Sequence, residues 1–520
     1  MHDLLIKNGT IINGTGSPCT ADIGIEGEKI TAVGKIKQSA KKCIDASGMC
    51  VAPGFIDFHS HNDRVILGKN IFRTAKITQG ITTEVVGNCG FSSAPSPENE
   101  KDRLLERDRN TILGQLKGAE EPFLWNDYVN VLSKMPLAAN VVPLAGHGNI
   151  RMAVMGIEDR PASTHELAGM KRILTGIMES GGWGMSTGLV YPPGVFTPEE
   201  ELVELSSVLK RFDGIYASHV RGEGPTLFPA VKEVLSIGRK SGISVQVSHL
   251  KAPPDKVDEM LEMLYKARDN GINVNYDQYP YAASSTTAGI ILPRWMHEGG
   301  EAKLLSRLSD ISERRKARRD ITAKGSFYSF LGPDKILVNQ VKTLKNRRYE
   351  GRTLLEVAED RGVDPLETLF DIIAEEKSCP LMVFFSMSEE SVKRIMKEKI
   401  GFVGTDGLPG RRPHPRLWGT FPRILGRYVR EGKILSLDEA VYKFSKAPAE
   451  KLKLKGRGEI KKGNFADIVI FDAGKVTDRA TYQNPNRRPE GIDYVIVNGM
   501  PVVEKGMLTG LLPGRLLLKF

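Results

Sequence analysis

The chain has 520 residues, 40% of them hydrophobic and 26% charged, with a formal net charge of +10. That length allows two or three domains, and the balance is ordinary for a globular protein. No run nears the ~20 apolar residues of a membrane span, and Met1-His2-Asp3-Leu4-Leu5-Ile6-Lys7 lacks the basic start and long apolar stretch of a secretion signal.

Five scattered cysteines (Cys19, Cys43, Cys50, Cys89, Cys379) do not suggest a disulfide framework and suit a reducing cytoplasm. Much of the positive charge lies in clusters such as Arg314-Arg315-Lys316-Ala317-Arg318-Arg319, which reads as helix surface. No zinc-finger spacing or RNP-type aromatic strand accompanies it, so neither a nucleic-acid nor a membrane partner is expected. The oligomeric state stays open, a homo-oligomer included.

The first fifty residues read as short strands and turns. Leu4-Leu5-Ile6 and Thr10-Ile11-Ile12 flank Asn8-Gly9, and Ile23-Gly24-Ile25 and Lys29 to Val33 flank Glu26-Gly27-Glu28, which is hairpin grammar. Similar grammar returns near the end, in Phe465 to Phe471 and in Tyr494-Val495-Ile496-Val497 before Asn498-Gly499. The economical reading is one β-sandwich built from residues 1–52 and 455–520, with a large domain, 53–454, inserted between.

The middle alternates β-rich runs with helical stretches. Strand runs are Val51 to Phe58, Ile81 to Val86, Asn140 to Leu144, Trp183 to Val190, Ile215 to Ser218, Ile243 to Ser248, Asn273 to Asp277 and Ile400 to Thr405. Helical stretches between them include Glu199 to Arg211, Pro225 to Ser241 and Asp255 to Asn270. This predicts an α/β fold, a (β/α)8 barrel of the TIM type. A doubly wound sheet is the alternative, weakened because no Gly-x-Gly-x-x-Gly turn follows the first strand. Before the eighth run the connection is too long; residues 293–349 read as an inserted subdomain or lid, followed by two helices over Thr353 to Glu376 with Asp364-Pro365 starting the second. Phe384-Phe385-Ser386 reads as an extra strand, and Ser436-Leu437-Asp438-Glu439 as a capping box.

In such a barrel, functional side chains gather at the C-terminal strand ends. Strand one ends in His59 and His61, whose i, i+2 spacing puts both imidazoles on one face. Strand two ends in Asn88-Cys89-Gly90, strand five in His219-Val220-Arg221, strand six in His249-Leu250-Lys251, and strand eight in Thr405-Asp406-Gly407. Cys89, His219 and His249 can converge on one ion, and thiolate with imidazole favours Zn²⁺. Three protein ligands leave a position for water, whose pKa such an ion lowers from ~16 toward ~7. Asp406 is placed to take that proton and return it to a leaving amine, a set suited to amide hydrolysis.

These motifs resemble the amidohydrolase superfamily and, within it, the D-aminoacylase (N-acyl-D-amino-acid deacylase) family, over nearly the whole chain. Pro53 to Asp63 is similar to the superfamily's first-strand motif and Gly458 to Val469 to its returning sandwich strand, while Gly80 to Ser92, with its Asn-Cys-Gly, marks the D-aminoacylase branch. Many relatives bridge two metals with a carboxylated lysine after strand four; here that stretch, Gly184 to Gly194, has no lysine, and Cys89 would bridge instead. The resemblance implies a zinc held tightly by Cys89, His219 and His249, a weaker second position formed by His59, His61, Cys89 and Asp406, and Asp406 as general base and acid. It implies hydrolysis of an N-acyl-D-amino acid to a carboxylate and a free D-amino acid. Substrate contacts map to Lys251, Tyr191, Tyr281 and Ser285, with Ser284 and Thr286 as alternatives to Ser285. Rival readings are a D-residue dipeptidase, a cyclic-amide hydrolase and a non-catalytic scaffold.

Among the remaining candidates, Arg221 either binds substrate or pairs with Glu223, and the pairing is preferred. His147 either lines the pocket or packs, and His2, His165, His297 and His414 read as surface or local residues.

Overall fold

The computed structural model describes residues 1–68, 71–96 and 124–520. Both chain regions meet in one nine-stranded sheet. Its path runs from Lys29–Gly34 through Cys19–Glu26, His2–Ile11, Cys50–Pro53, Ile468–Phe471, Ile492–Val497 and Met500–Glu504 to Met507–Leu508, and Ala40–Asp45 adds to His2–Ile11. The two regions join where Cys50–Pro53 runs antiparallel to Ile468–Phe471. The side-chain period of two explains the layers. Ile6, Ile23, Ile25, Ile468, Ile470 and Ile496 fill the core of the sandwich. The alternate residues Ala52, Val469, Phe471, Val495 and Val497 pack toward the barrel.

One expected turn is absent. Asn8-Gly9 does not make a hairpin; His2–Ile11 is one continuous strand with a register shift between Ile6 and Gly9. Asn8 takes φ 59, and a Cβ on Gly9 would lie 2.4 Å from Val51 Cγ2. The pair is a bulge that lets the backbone crowd the neighbouring strand while Ile6 and Ile11 stay buried. Asn498-Gly499 does turn a two-residue hairpin, with φ 47 and 80.

All eight barrel runs form parallel strands. Phe55–Asp57, Ile81–Val86 and Asn140–Pro143 make one arc. Ala145–Gly146, which continues the third run, joins Gly184–Gly188, Ile215–His219, Ser244–Val247, Val274–Gln278 and Gly401–Val403 in the other. At the seam between the eighth strand and the first, Phe58 N donates to Val403 O (3.2 Å), Asp406 N to His59 O (2.8 Å), and an isolated bridge links Ser60 to Gly407. Amphipathic helices cover the outside. Thr164–Glu179, opened by a Ser163 capping box, buries Met170, Leu174, Ile177 and Met178 on one stripe. The segment from Gly514 to Lys519 leaves the sandwich and runs along the third strand, with Val141 N donating to Arg515 O (2.8 Å) and Trp183 Nε1 to Leu517 O (2.6 Å).

The insertion is larger than residues 293–349. Ser284–Thr287, Leu381–Phe384 and Ile336–Gln340 form a three-stranded antiparallel sheet, and its apolar core runs from Ala288 to Phe384. Asp364 caps Pro365–Glu376 by accepting from Leu366 N and Glu367 N, as its position before a proline predicts. Of the basic cluster, Arg314 pairs with Asp371 and Arg318 with Asp364, both on that neighbouring element. Among the described residues no helix is long and apolar enough to cross a membrane.

Candidate metal centre

The strand ends carry the site. Cys89 lies three residues past Ile81–Val86, in a turn bracketed by Gly87 and Gly90. A Cβ on Gly87 would sit 2.0 Å from Leu144 O, and one on Gly90 2.7 Å from Gly188 N. Only glycines let the turn fold this closely into the barrel mouth. Ser186 Oγ then accepts from Gly90 N (2.9 Å).

His59, Cys89, His219 and His249 converge. Cys89 Sγ is 3.3 Å from His59 Nε2, 3.5 Å from His219 Nδ1 and 3.6 Å from His249 Nε2. A tetrahedral zinc, with bonds of ~2.3 Å to sulfur and ~2.0 Å to nitrogen, holds S and N about 3.5 Å apart and two N about 3.3 Å apart. The sulfur distances match, and the 2.9 Å between His249 Nε2 and His219 Nδ1 is somewhat shorter. Two donor sets emerge, Cys89–His219–His249 and His59–His61–Cys89, and Cys89 belongs to both. Asp406 Oδ1 lies 3.1 Å from His61 Nε2 and 3.7 Å from His59 Nε2.

The electrostatics favour a ligand set. Burial alone would raise the Cys89 thiol, but the imidazoles of His59, His219 and His249 bring it well below its ordinary value, toward thiolate. Burial, then the charge of Lys251, pushes His249 down to about 4, leaving a neutral imidazole. Burial would raise Asp406, but Arg416, with Nη1 2.8 Å from Oδ2, and His61 hold it well below the carboxylate range. Against burial, Asp406 and Cys89 lift His61 to about 9.

A cavity of about 320 Å³ opens from this cluster. His61, Cys89, His219, His249 and Asp406 stand at its head, and Tyr191, Lys251 and Ser285 line it, as do Ser284 and Thr286. Tyr191 Oη is 2.7 Å from Thr286 Oγ1. Lys251 is buried, with Nζ 2.5 Å from Glu223 Oε1 and 3.0 Å from His249 Nδ1. Tyr281 does not line the cavity. Its ring packs between His414 (5.2 Å) and the Arg423 guanidinium (4.7 Å). The Tyr279-Pro280-Tyr281 segment follows the seventh strand, and its second tyrosine lies against the helix Arg416–Arg423.

Other expectations need correction. Arg221 pairs with Glu233 (2.8 Å), not Glu223, whose carboxylate is engaged by Lys251. His147 packs in a buried trio with Glu201 and Arg151. His297 and His414 are buried, and His297 borders the cavity. Sequence reasoning missed several residues around the centre. Asp277 meets His59 Nδ1 at 3.1 Å, Arg416 grips Asp406, and Ile290, Leu304 and Phe327 bring the insertion to the cavity wall. Of these, Asp277 closes the seventh strand run, a position that could have drawn attention.

Comparison with known proteins accords with this architecture. The sequence pattern of the amidohydrolase family matches residues 42–503. The chain is 36% identical to the D-aminoacylase of Alcaligenes xylosoxydans xylosoxydans, across 99% of this chain and 97% of that protein. A crystal structure of a D-aminoacylase superposes with a TM-score of 0.84 at 34% identity over 100% of both chains. So does that of N-acyl-D-glutamate deacylase from Bordetella bronchiseptica, complexed with zinc and a phosphonate inhibitor that mimics the tetrahedral intermediate, with a TM-score of 0.83 at 33% identity over 99% of both chains. The chain belongs to the amidohydrolase family, in its D-aminoacylase group.

Proposed function

We propose that the protein hydrolyses the amide bond of N-acyl-D-amino acids, giving a carboxylate and a free D-amino acid, with zinc at Cys89, His219 and His249. The observation that carries this reading is the pair of donor sets sharing Cys89, set at the head of a cavity beside Asp406 and Lys251. Zinc bound there supplies Lewis acidity that activates water and polarises the scissile carbonyl.

The chain's own groups do the rest. Asp406 is the general base and then the general acid. Arg416 fixes its Oδ2, leaving Oδ1 on the imidazole side to take a proton and hand it to the leaving nitrogen. Lys251, buried in the cavity wall, holds the substrate's α-carboxylate and exchanges its pairing with Glu223 for that contact. Tyr191 and Ser285 frame the same end of the substrate, so that its configuration decides which group points at Asp406. His59, His61, Cys89 and Asp406 form a second, weaker metal position. The five unpaired cysteines suit a reducing compartment, and we place the enzyme in the cytoplasm.

The test is a panel of N-acetyl-D- and N-acetyl-L-amino acids assayed with purified, metal-quantified protein. Amine release from D-forms, lost on chelation and restored by zinc, is expected. Release from L-forms only, or from neither, overturns the reading.

A further inference from the structure

A second cluster of charge lies behind the metal centre, and the reaction above does not use it. Lys76, at the start of the short turn Ile77–Gln79, is fully buried, as are Asp57 and Glu84. Its ammonium lies 2.7 Å from Asp57 Oδ2 and 3.3 Å from Glu84 Oε2, and donates to Ser60 Oγ. Glu84 Oε2 accepts from Ser60 Oγ (2.8 Å) and Asn62 Nδ2 (2.8 Å). Ser60 and Asn62 alternate with His59 and His61, so the cluster grips the opposite face of the strand end that presents the two imidazoles.

Asp57 reaches the other way. Its Oδ1 accepts from Thr405 N (2.7 Å) and His59 N (3.2 Å), and its Oδ2 from Thr405 Oγ1 (2.7 Å). Thr405 directly precedes Asp406. Here the first and eighth strands lack a continuous ladder, and a carboxylate takes the backbone amide that a ladder would have used. One ammonium therefore bridges the two carboxylates that fix His59, His61 and Asp406. Cys89, His219 and His249 hang from strands two, five and six, and of these only the second contributes to the cluster, through Glu84.

We infer that Lys76 is a positioning residue for the second metal position: through Asp57 and Glu84 it sets His59, His61 and Asp406 without touching the Cys89–His219–His249 set. The inference rests on the two-position reading of the metal centre. Removing one partner from a buried ion cluster leaves uncompensated charge, so the seam must rearrange. Loss of a group that orients metal ligands typically costs 10- to 100-fold in affinity or activity.

Metal-free wild-type protein and the Lys76→Met variant are titrated with Co²⁺, reading bound ions by mass spectrometry and the thiolate-to-cobalt band that reports Cys89. Wild type is expected to take two ions at separate affinities; uptake of only one overturns both the second position and the role of Lys76 in it. Lys76→Met is expected to keep the first ion within threefold, with its thiolate band. It should bind the second at least tenfold more weakly, and kcat should fall at least tenfold through the displaced Asp406, with KM within threefold. A variant that binds the second ion within threefold of wild type, or loses both ions equally, overturns the inference. If Lys76→Met does not fold, Lys76→Met/Glu84→Gln removes one charge of each sign and is read by the same criteria. Because the amide panel is run on wild type alone, failure of the substrate reading and failure of this one are distinguishable.

Discussion

Cys89, His249 and Asp406 share a backbone conformation that residues with side chains avoid, at φ 53, 36 and 47. Each follows a barrel strand, and each turns its side chain into the mouth instead of along the strand axis. Such a conformation costs ~1–3 kcal/mol and persists where the surroundings dictate it, typically at functional sites. The choice of substitution matters accordingly. Asn tolerates the left-handed region and keeps the size and the Arg416 contact of Asp406. Asp406→Asn therefore removes the proton-transfer group, together with the charge that pairs with Arg416 and the Asp406 contribution to the second metal position, and leaves the Cys89–His219–His249 set in place. It should lower kcat by ~10²–10⁴-fold, the usual range for a lost acid–base group, while zinc content at the first position stays at the wild-type level. A variant retaining kcat within threefold of wild type would sink the role. Cys89→Ala removes the sulfur that both donor sets share. It should lose zinc and activity together, and a zinc measurement showing full retention would refute the assignment.

At the scale of elements, the ligand-bearing strand ends were legible because each couples a β-rich run to a His, Cys or Asp just beyond it, as Ile215 to His219 does. The insertion was less so. Its first strand, Ser284–Thr287, is Ser-Ser-Thr-Thr and carries no apolar alternation, since its partners in the sheet supply the hydrophobic surface. Tyr281, carried over by motif from the family resemblance, lies past the end of Val274–Gln278, where alternation assigns no face, and its ring packs on His414 and Arg423. Arg416 was invisible, because nothing local distinguishes an arginine that ends on Asp406 from one on the surface. The insertion also predicts a pH response. Burial drives His297 down to about 4, and its Nε2 lies 3.0 Å from Gly289 O. The unfolded chain takes up that proton near the ordinary value of ~6.5 while the folded chain refuses it. Stability is thus full above pH ~6.5 and declines as pH falls toward 4, by up to about 3 kcal/mol from this group. His297→Gln should flatten the dependence of thermal unfolding between pH 4 and 6.5 by about one proton; an unchanged slope would assign the response elsewhere.

Across the whole molecule, the sandwich and the barrel share an interior. Phe55 of the first barrel strand stacks on Phe421 at 5.5 Å and meets Phe444 at 4.9 Å and Phe471 at 6.4 Å. Phe471 belongs to the returning sandwich strand, and Phe421 and Phe444 to the helical stretches after the eighth barrel strand, so three distant parts of the chain close one aromatic cluster with no water access. The cluster sits under Phe55-Ile56-Asp57, the strand that continues into His59 and His61, so the sandwich supports the site from behind. Truncating Phe471 to alanine should cost ~3–5 kcal/mol, as large buried aromatics do. If the parts fold as one body, the loss appears as a lower urea midpoint with an unchanged slope, and the zinc site and the sandwich melt together. An early transition that unfolds the sandwich while zinc and activity persist would show instead that the barrel stands alone, and that the shared aromatics only glue two independent units.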